Sequence, residues 1–160
     1  MRSLMITTVL AALVTACGLS NPPPETGGST SAPAAAPADD TAELQAAVAA
    51  LPAPYNAADL AAGRRVFGQC RSCHTIEAGA PNRIGPNLHG VMGRQAGSLD
   101  GFNYSDPLKA AGFVWDAERL DQWLQAPQTF LPGNRMAFAG VRDETQRRDL
   151  IAYIEVMSAR

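Results

Sequence analysis

Cys70-Arg71-Ser72-Cys73-His74 is the stretch on which the reading of this chain turns. Two thiols three positions apart, followed at once by an imidazole, form the attachment signature of a c-type haem. The thiols can reach the two vinyl groups on one edge of a porphyrin and form thioether bonds. The adjoining imidazole then ligates the iron as its proximal ligand. Other uses of the pair fit less well. A redox-active Cys-x-x-Cys belongs to a βαβ pattern, and no strand pattern surrounds Cys70. A zinc site needs two more ligands at finger-like spacing, whereas the other cysteine is Cys17 and the other histidine is His89. One covalently attached haem c, with its iron, is the expected cofactor.

The amino terminus reads differently from the rest. Arg2 precedes an apolar run from Leu4 to Ala16, which at 13 residues suits a signal-peptide core and is too short to span a bilayer as a helix. Leu13-Val14-Thr15-Ala16, directly before Cys17, resembles the lipobox of bacterial lipoproteins. That resemblance implies cleavage before Cys17 and lipidation of it. Ordinary signal cleavage is the alternative, but it would leave an unpaired thiol on an exported protein. Either route places the domain on the periplasmic side of a bacterial membrane, lipid-anchored in the first case and soluble in the second.

Residues 18–54 are dominated by Pro, Ala, Gly, Ser and Thr, as in Asn21-Pro22-Pro23-Pro24. Such a composition buries too little apolar surface to offset its ordering entropy and reads as a flexible linker. A coil of that length spans about 35 Å on average and about 120 Å fully extended. Leu44, Val48 and Leu51 fall at helical spacing and suggest a transient helix within this tail. Charge divides at the same place. All basic residues but Arg2 lie beyond Ala57, as do all acidic ones but Glu25, Asp39, Asp40 and Glu43, which leaves 12 against 11. So balanced a domain is a poor match for nucleic acid. No internal repeat is present.

From about Ala57 to Arg160 the chain resembles class I cytochrome c, in forms similar to the mitochondrial and bacterial membrane-anchored proteins. The resemblance rests on the haem signature in order with Gly85-Pro86-Asn87-Leu88-His89-Gly90, Gly93-Arg94, Trp115, Pro132-Gly133-Asn134-Arg135-Met136 and Asp149-Leu150-Ile151-Ala152-Tyr153. It implies an all-α fold, the class I cytochrome c fold, with helices packed around one covalent haem. The expected organisation is a signal at 1–16, a lipid-anchored linker at 17–54 and a haem domain at 55–160. Local patterns agree with helices. Asp59 to Gln69 reads as a helix leading into the haem site. Asp116 suits the N-cap of a helix through Gln125 that buries Leu120, Trp123 and Leu124 and is ended by Pro127. Asp143 and Glu144 place negative charge at the start of a last helix, where Leu150, Tyr153, Ile154 and Met157 recur at i, i+3, i+4 and i+7.

By resemblance, the first and last helices cross at a small residue, a role for Gly63 against Phe67 and Tyr153. The Pro-Gly-x-Arg-Met loop implies that Met136 supplies a thioether sulfur to iron opposite His74. Pro86 is then the carbonyl that fixes the imidazole, and Arg94, Tyr104 and Trp115 bond the haem propionates. His89 reads as a structural histidine bonded to backbone. Two departures stand out: Trp123 where mitochondrial relatives carry a tyrosine, and Asn134 where a threonine is common.

Iron ligated on both faces leaves no position for oxygen or peroxide, so the expected function is one-electron transfer and not enzymatic catalysis. The resemblance implies docking between a quinol-oxidising cytochrome bc complex and a terminal oxidase or photosynthetic reaction centre, by a monomer. Two alternatives stay open: a haem peroxidase or gas sensor with a labile sixth ligand, and a fixed electron-transfer subunit of one oxidase. The haem-edge rim is thin in charge, with a single lysine, Lys109, and with Arg83, Arg135 and Arg142.

Overall fold

Asp59 opens the helix that delivers the two cysteines. In the structure, a computed structural model that describes residues 38–160, its carboxylate accepts from the backbone N–H groups of Ala61 at 2.8 Å and Ala62 at 3.0 Å. That bond caps α2 (Leu60–Phe67) and satisfies N–H groups the helix cannot. The signal, the cleavage site and Cys17 lie outside the described residues.

The last helix, α6 (Glu144–Ser158), is capped in the same way by Asp143, which accepts from Gln146 N at 2.8 Å. Its Leu150, Ile151 and Ala152 are wholly buried. It packs across α2 at Gly63, and the Phe67 and Tyr153 rings meet with centroids 5.1 Å apart. A second tie between the two helices is polar. Buried Asp149 accepts from the backbone N–H of Asp59 at 3.2 Å while pairing with Arg148 at 2.7 Å.

Between these helices the chain forms α3 (Asp106–Lys109), α4 (Ala117–Gln125) and α5 (Pro127–Phe130). Asp116 caps α4, which buries Leu120, Trp123 and Leu124. Pro127 ends α4 and also stands in the first turn of α5, where its missing N–H is of no consequence. The two four-residue helices leave no periodic pattern in the sequence. An isolated antiparallel bridge joins Gln95 to Val114. It is flanked by Gly93 N to Trp115 O at 2.8 Å and Trp115 N to Arg94 O at 2.9 Å, so Arg94 and Trp115 stand side by side. Arg147 ties α6 to α4 by a two-pronged pair with Asp121, Nε to Oδ1 at 2.6 Å and Nη2 to Oδ2 at 3.3 Å.

One expectation needs correction. The linker was expected to run to residue 54 with only a transient helix, but Ala38–Ala49 form the helix α1. It contacts α6 and a 3-10 turn at Tyr55–Ala57. Val48 is buried there, Leu44 and Ala47 are half-buried, and Arg160 reaches Glu43 at 3.4 Å. A 12-residue helix is marginal in water and owes its stability to tertiary contacts. Composition carries no sign of those contacts.

Candidate cofactor site

Beyond α2 the chain stays tightly wound. Cys70 N bonds Phe67 O at 2.8 Å, Cys73 N bonds Cys70 O at 3.0 Å and His74 N bonds Cys70 O at 2.8 Å. These turns hold two half-buried, unbridged thiols and one imidazole together. Burial, and secondarily the neighbouring Cys73, pushes the Cys70 thiol up to about 11. A dithiol redox centre needs the opposite shift, toward thiolate.

The His74 ring is fixed from one side. Its Nδ1 donates to the carbonyl of Pro86 at 2.7 Å, which leaves the lone pair on Nε2. Burial lowers its pKa, and the bond to Pro86 opposes that only in part, so the imidazole is neutral at pH 7. Gly85 lies flat against the ring: a Cβ there would fall 2.3 Å from Cε1. Its N–H also bonds Cys73 O at 2.8 Å, and Asn87 braces the same loop through Thr75 at 2.7 Å and Glu77 O at 3.0 Å.

These residues open onto a cavity of about 640 Å³. Cys70, Cys73, His74, Pro86, Arg94, Tyr104, Trp115 and Met136 all line it. Most of the remaining wall is apolar, including Leu88, Val91, Leu108, Leu120, Leu124 and Ile154, and no carboxylate among the described residues faces it. Trp123 also lines it, edge-on to Trp115 at 5.5 Å. Arg94 donates to His89 O at 3.0 Å and Asn87 O at 3.1 Å, which uses two of its five N–H donors. Burial raises the pKa of Tyr104, so its hydroxyl stays a donor.

The donor set fits a haem. Apolar walls match the macrocycle, two thiols match two vinyl groups, and an imidazole and a thioether are both iron ligands. Arg94 with Tyr104 supplies the donors that buried carboxylates require. His89 does not line the cavity, and its buried Nδ1 has no hydrogen-bond partner among the described residues, where a bond to backbone was expected. Its backbone makes the loop's bonds instead, with N–H to Asn87 Oδ1 at 2.8 Å. Sequence reasoning also missed the parts of Asn134 and Gln128, whose amides hold the backbone of Met136. Their spacing carries no signal of this.

Comparison with known proteins bears on the same residues. The family model described as Cytochrome c matches residues 60–158. Cytochrome c2 of Blastochloris viridis is 46% identical over 112 residues, 70% of this chain and 88% of that protein. Cytochrome c-550 of Ancylobacter novellus is 47% identical over 102 residues, 62% of this chain and 95% of that protein. Among solved structures, cytochrome cH from Methylobacterium extorquens superposes with a TM-score of 0.57 at 43% identity, covering 61% of this chain and 97% of that one. Helix α1 precedes the residues that the family model matches.

Proposed function

The chain belongs to the cytochrome c family and is a haem c electron carrier, and from that premise we propose a membrane-tethered carrier whose iron is ligated by His74 and Met136. One observation carries this reading: a single cavity whose wall holds two thiols, an imidazole locked by a carbonyl and a thioether, in otherwise largely apolar surroundings. Cys70 and Cys73 would hold the haem covalently, and Arg94, Tyr104 and Trp115 its propionates. When bound, the haem supplies one-electron chemistry between ferric and ferrous iron. The chain's own residues do the rest. Pro86 and Gly85 fix the imidazole, the walls exclude water, and a soft thioether favours the ferrous state and raises the potential.

With both faces of iron occupied, function depends on docking, and the proposed partners are a quinol-oxidising cytochrome bc complex and a terminal oxidase or reaction centre. The exposed cavity-lining residues support a weakly charged approach: Gln69, Ser72, Ile84, Asn103 and Ala137 are uncharged, and Arg135 is the one charged residue among them. Arg83 is tied to Arg71 O at 2.9 Å, Arg135 to Asn103 O, and Lys109 pairs with Asp106 at 3.5 Å. A lipid anchor at Cys17 would compensate for weak steering, because tethering raises effective concentration to the millimolar scale, on the order of 1 mM for short linkers.

Intact mass and visible spectrum of membrane-extracted protein test the reading together. The expected result is a chain beginning at Cys17, with one haem and acyl groups added. A haem-bearing chain recovered unacylated in the soluble fraction removes the tether, and a chain without haem removes the whole proposal.

A further inference from the structure

We propose that Asn134, backed by Gln128, is the positioning residue that holds Met136 on the iron, an inference that rests on Met136 being the axial ligand. Asn134 is buried, at 8% exposure, in a loop that otherwise consists of solvent-facing Pro132, Gly133 and Arg135. Its Nδ2 donates to Pro127 O at 2.9 Å and to Leu131 O at 2.8 Å. Its Oδ1 accepts from Met136 N at 2.9 Å and from Gln128 Nε2 at 3.3 Å. A primary amide has two N–H donors and two lone pairs. All four are therefore in use.

The two acceptors are informative in their placement. Pro127 begins α5 and Leu131 follows its end, so one side chain fastens both ends of that short helix to the backbone of Met136. Gln128, on α5, reaches over the outside and donates to Met136 O at 3.0 Å, a carbonyl also reached by Phe138 N at 3.0 Å. Asn134 is the hydrogen-bond partner found for the Met136 N–H among the described residues.

A neutral thioether is a weak ligand, so its residence on iron depends on how far the loop has been ordered beforehand. Ordering a Pro-Gly loop at the moment of ligation would cost conformational entropy. A buried amide that has already fixed the backbone removes that cost, which is preorganisation. The burial of Asn134 itself limits the access of water to these bonds. The same saturation means that Asn134 has no donor left for the sulfur itself or for a propionate. Its effect on the ligand is exerted through the backbone alone.

The test uses carbon monoxide binding to the ferrous holoprotein, together with the ferric thioether-to-iron band at the red end of the visible spectrum. Both are measured at temperatures where far-UV dichroism shows each variant folded. Asn134→Ala should speed carbon monoxide association at least tenfold and weaken the band. Asn134→Thr, whose hydroxyl can still accept from Met136 N, should restore most of the wild-type rate. Gln128→Ala removes only the outer support and should give a severalfold increase, and it keeps the proposal testable if Asn134→Ala fails to retain haem. Rates within twofold of wild type in Asn134→Thr, Asn134→Ala and Gln128→Ala alike, with only the melting temperature lowered, would overturn the positioning role and leave the ligation reading intact. A wild-type protein that lacks the band and binds carbon monoxide at once removes the ligation reading, and this proposal with it.

Discussion

Gly63 lies so close to the backbone of Asp149 that a Cβ on it would sit 2.1 Å from the Asp149 carbonyl oxygen and 2.8 Å from the Cβ of Tyr153. Neither obstacle is the far end of a flexible side chain, so α2 and α6 can accept a methyl group only by moving apart. Gly63→Ala should therefore destabilise the holoprotein by about 1–3 kcal/mol, the usual range for overpacking a tight contact. That loss would come despite the better helix propensity of alanine. Guanidinium unfolding followed by far-UV dichroism measures it. A change under about 0.5 kcal/mol would be no more than an ordinary surface substitution and would show that the crossing is not close-packed.

A second tie is electrostatic. Arg147 is nearly buried, donates to Val141 O at 3.0 Å and Arg142 O at 3.2 Å, and pairs with Asp121, whose side chain is one-third exposed, at 33%. Removing one partner of a buried pair leaves the other uncompensated, at a cost of about 3–5 kcal/mol when both are buried. Arg147→Ala should approach the lower end of that range. Asp121→Asn should cost clearly less, since its amide oxygen can still accept from Arg147, whereas Arg147→Ala also strands the carbonyls of Val141 and Arg142. Equal losses in the two variants, read from thermal unfolding, would contradict this asymmetry.

Glu155 offers a pH-dependent case. Its Oε2 is buried without a hydrogen-bond partner among the described residues, and burial raises its pKa above the ordinary value. Because the folded state holds this proton more tightly than the unfolded chain, the group's favourable contribution is present below the unfolded pKa. It is lost as pH rises through the folded one. Glu155→Gln should thus stabilise the protein at pH 7. The gain should be no more than about 1 kcal/mol, because the side chain is partly exposed and water screens it. It should shrink as pH falls into the carboxylate range. A gain that grows toward acid pH has the wrong sign for this account.

Helix α1 is expected to matter for stability and not for the haem. Val48 is its buried anchor, and none of its residues lines the cavity. Val48→Ala removes two methyl groups, so roughly 1–2 kcal/mol should be lost on transfer and cavity terms. The visible spectrum should be unchanged. A spectral shift in this variant would mean that α1 reaches the haem environment.

These features differ in how far they could be read from residues. The grouping of Cys70, Cys73 and His74 is local, so five residues carry it. The caps Asp59, Asp116 and Asp143 are equally local, because each acts on N–H groups two or three residues on. The place of Met136 on the cavity wall was legible through its Pro-Gly loop. What stayed hidden depends on tertiary neighbours. The packing of α1 requires α6 to be in place, and Asn134 becomes a clamp only once α5 turns its two carbonyls inward. The ring Nδ1 of His89, without a partner among the described residues, runs against the usual satisfaction of buried polar groups. No residue pattern announces it.

Whether imidazole and thioether together close the iron is decided by ferric visible spectra and ferrous carbon monoxide binding of wild type against Met136→Ala. The wild type should show a weak red-end thioether band and slow carbon monoxide uptake. In the variant the band should be gone and uptake fast. A wild-type protein indistinguishable from Met136→Ala in both would contradict closure by the two ligands and favour an open-haem peroxidase or gas sensor.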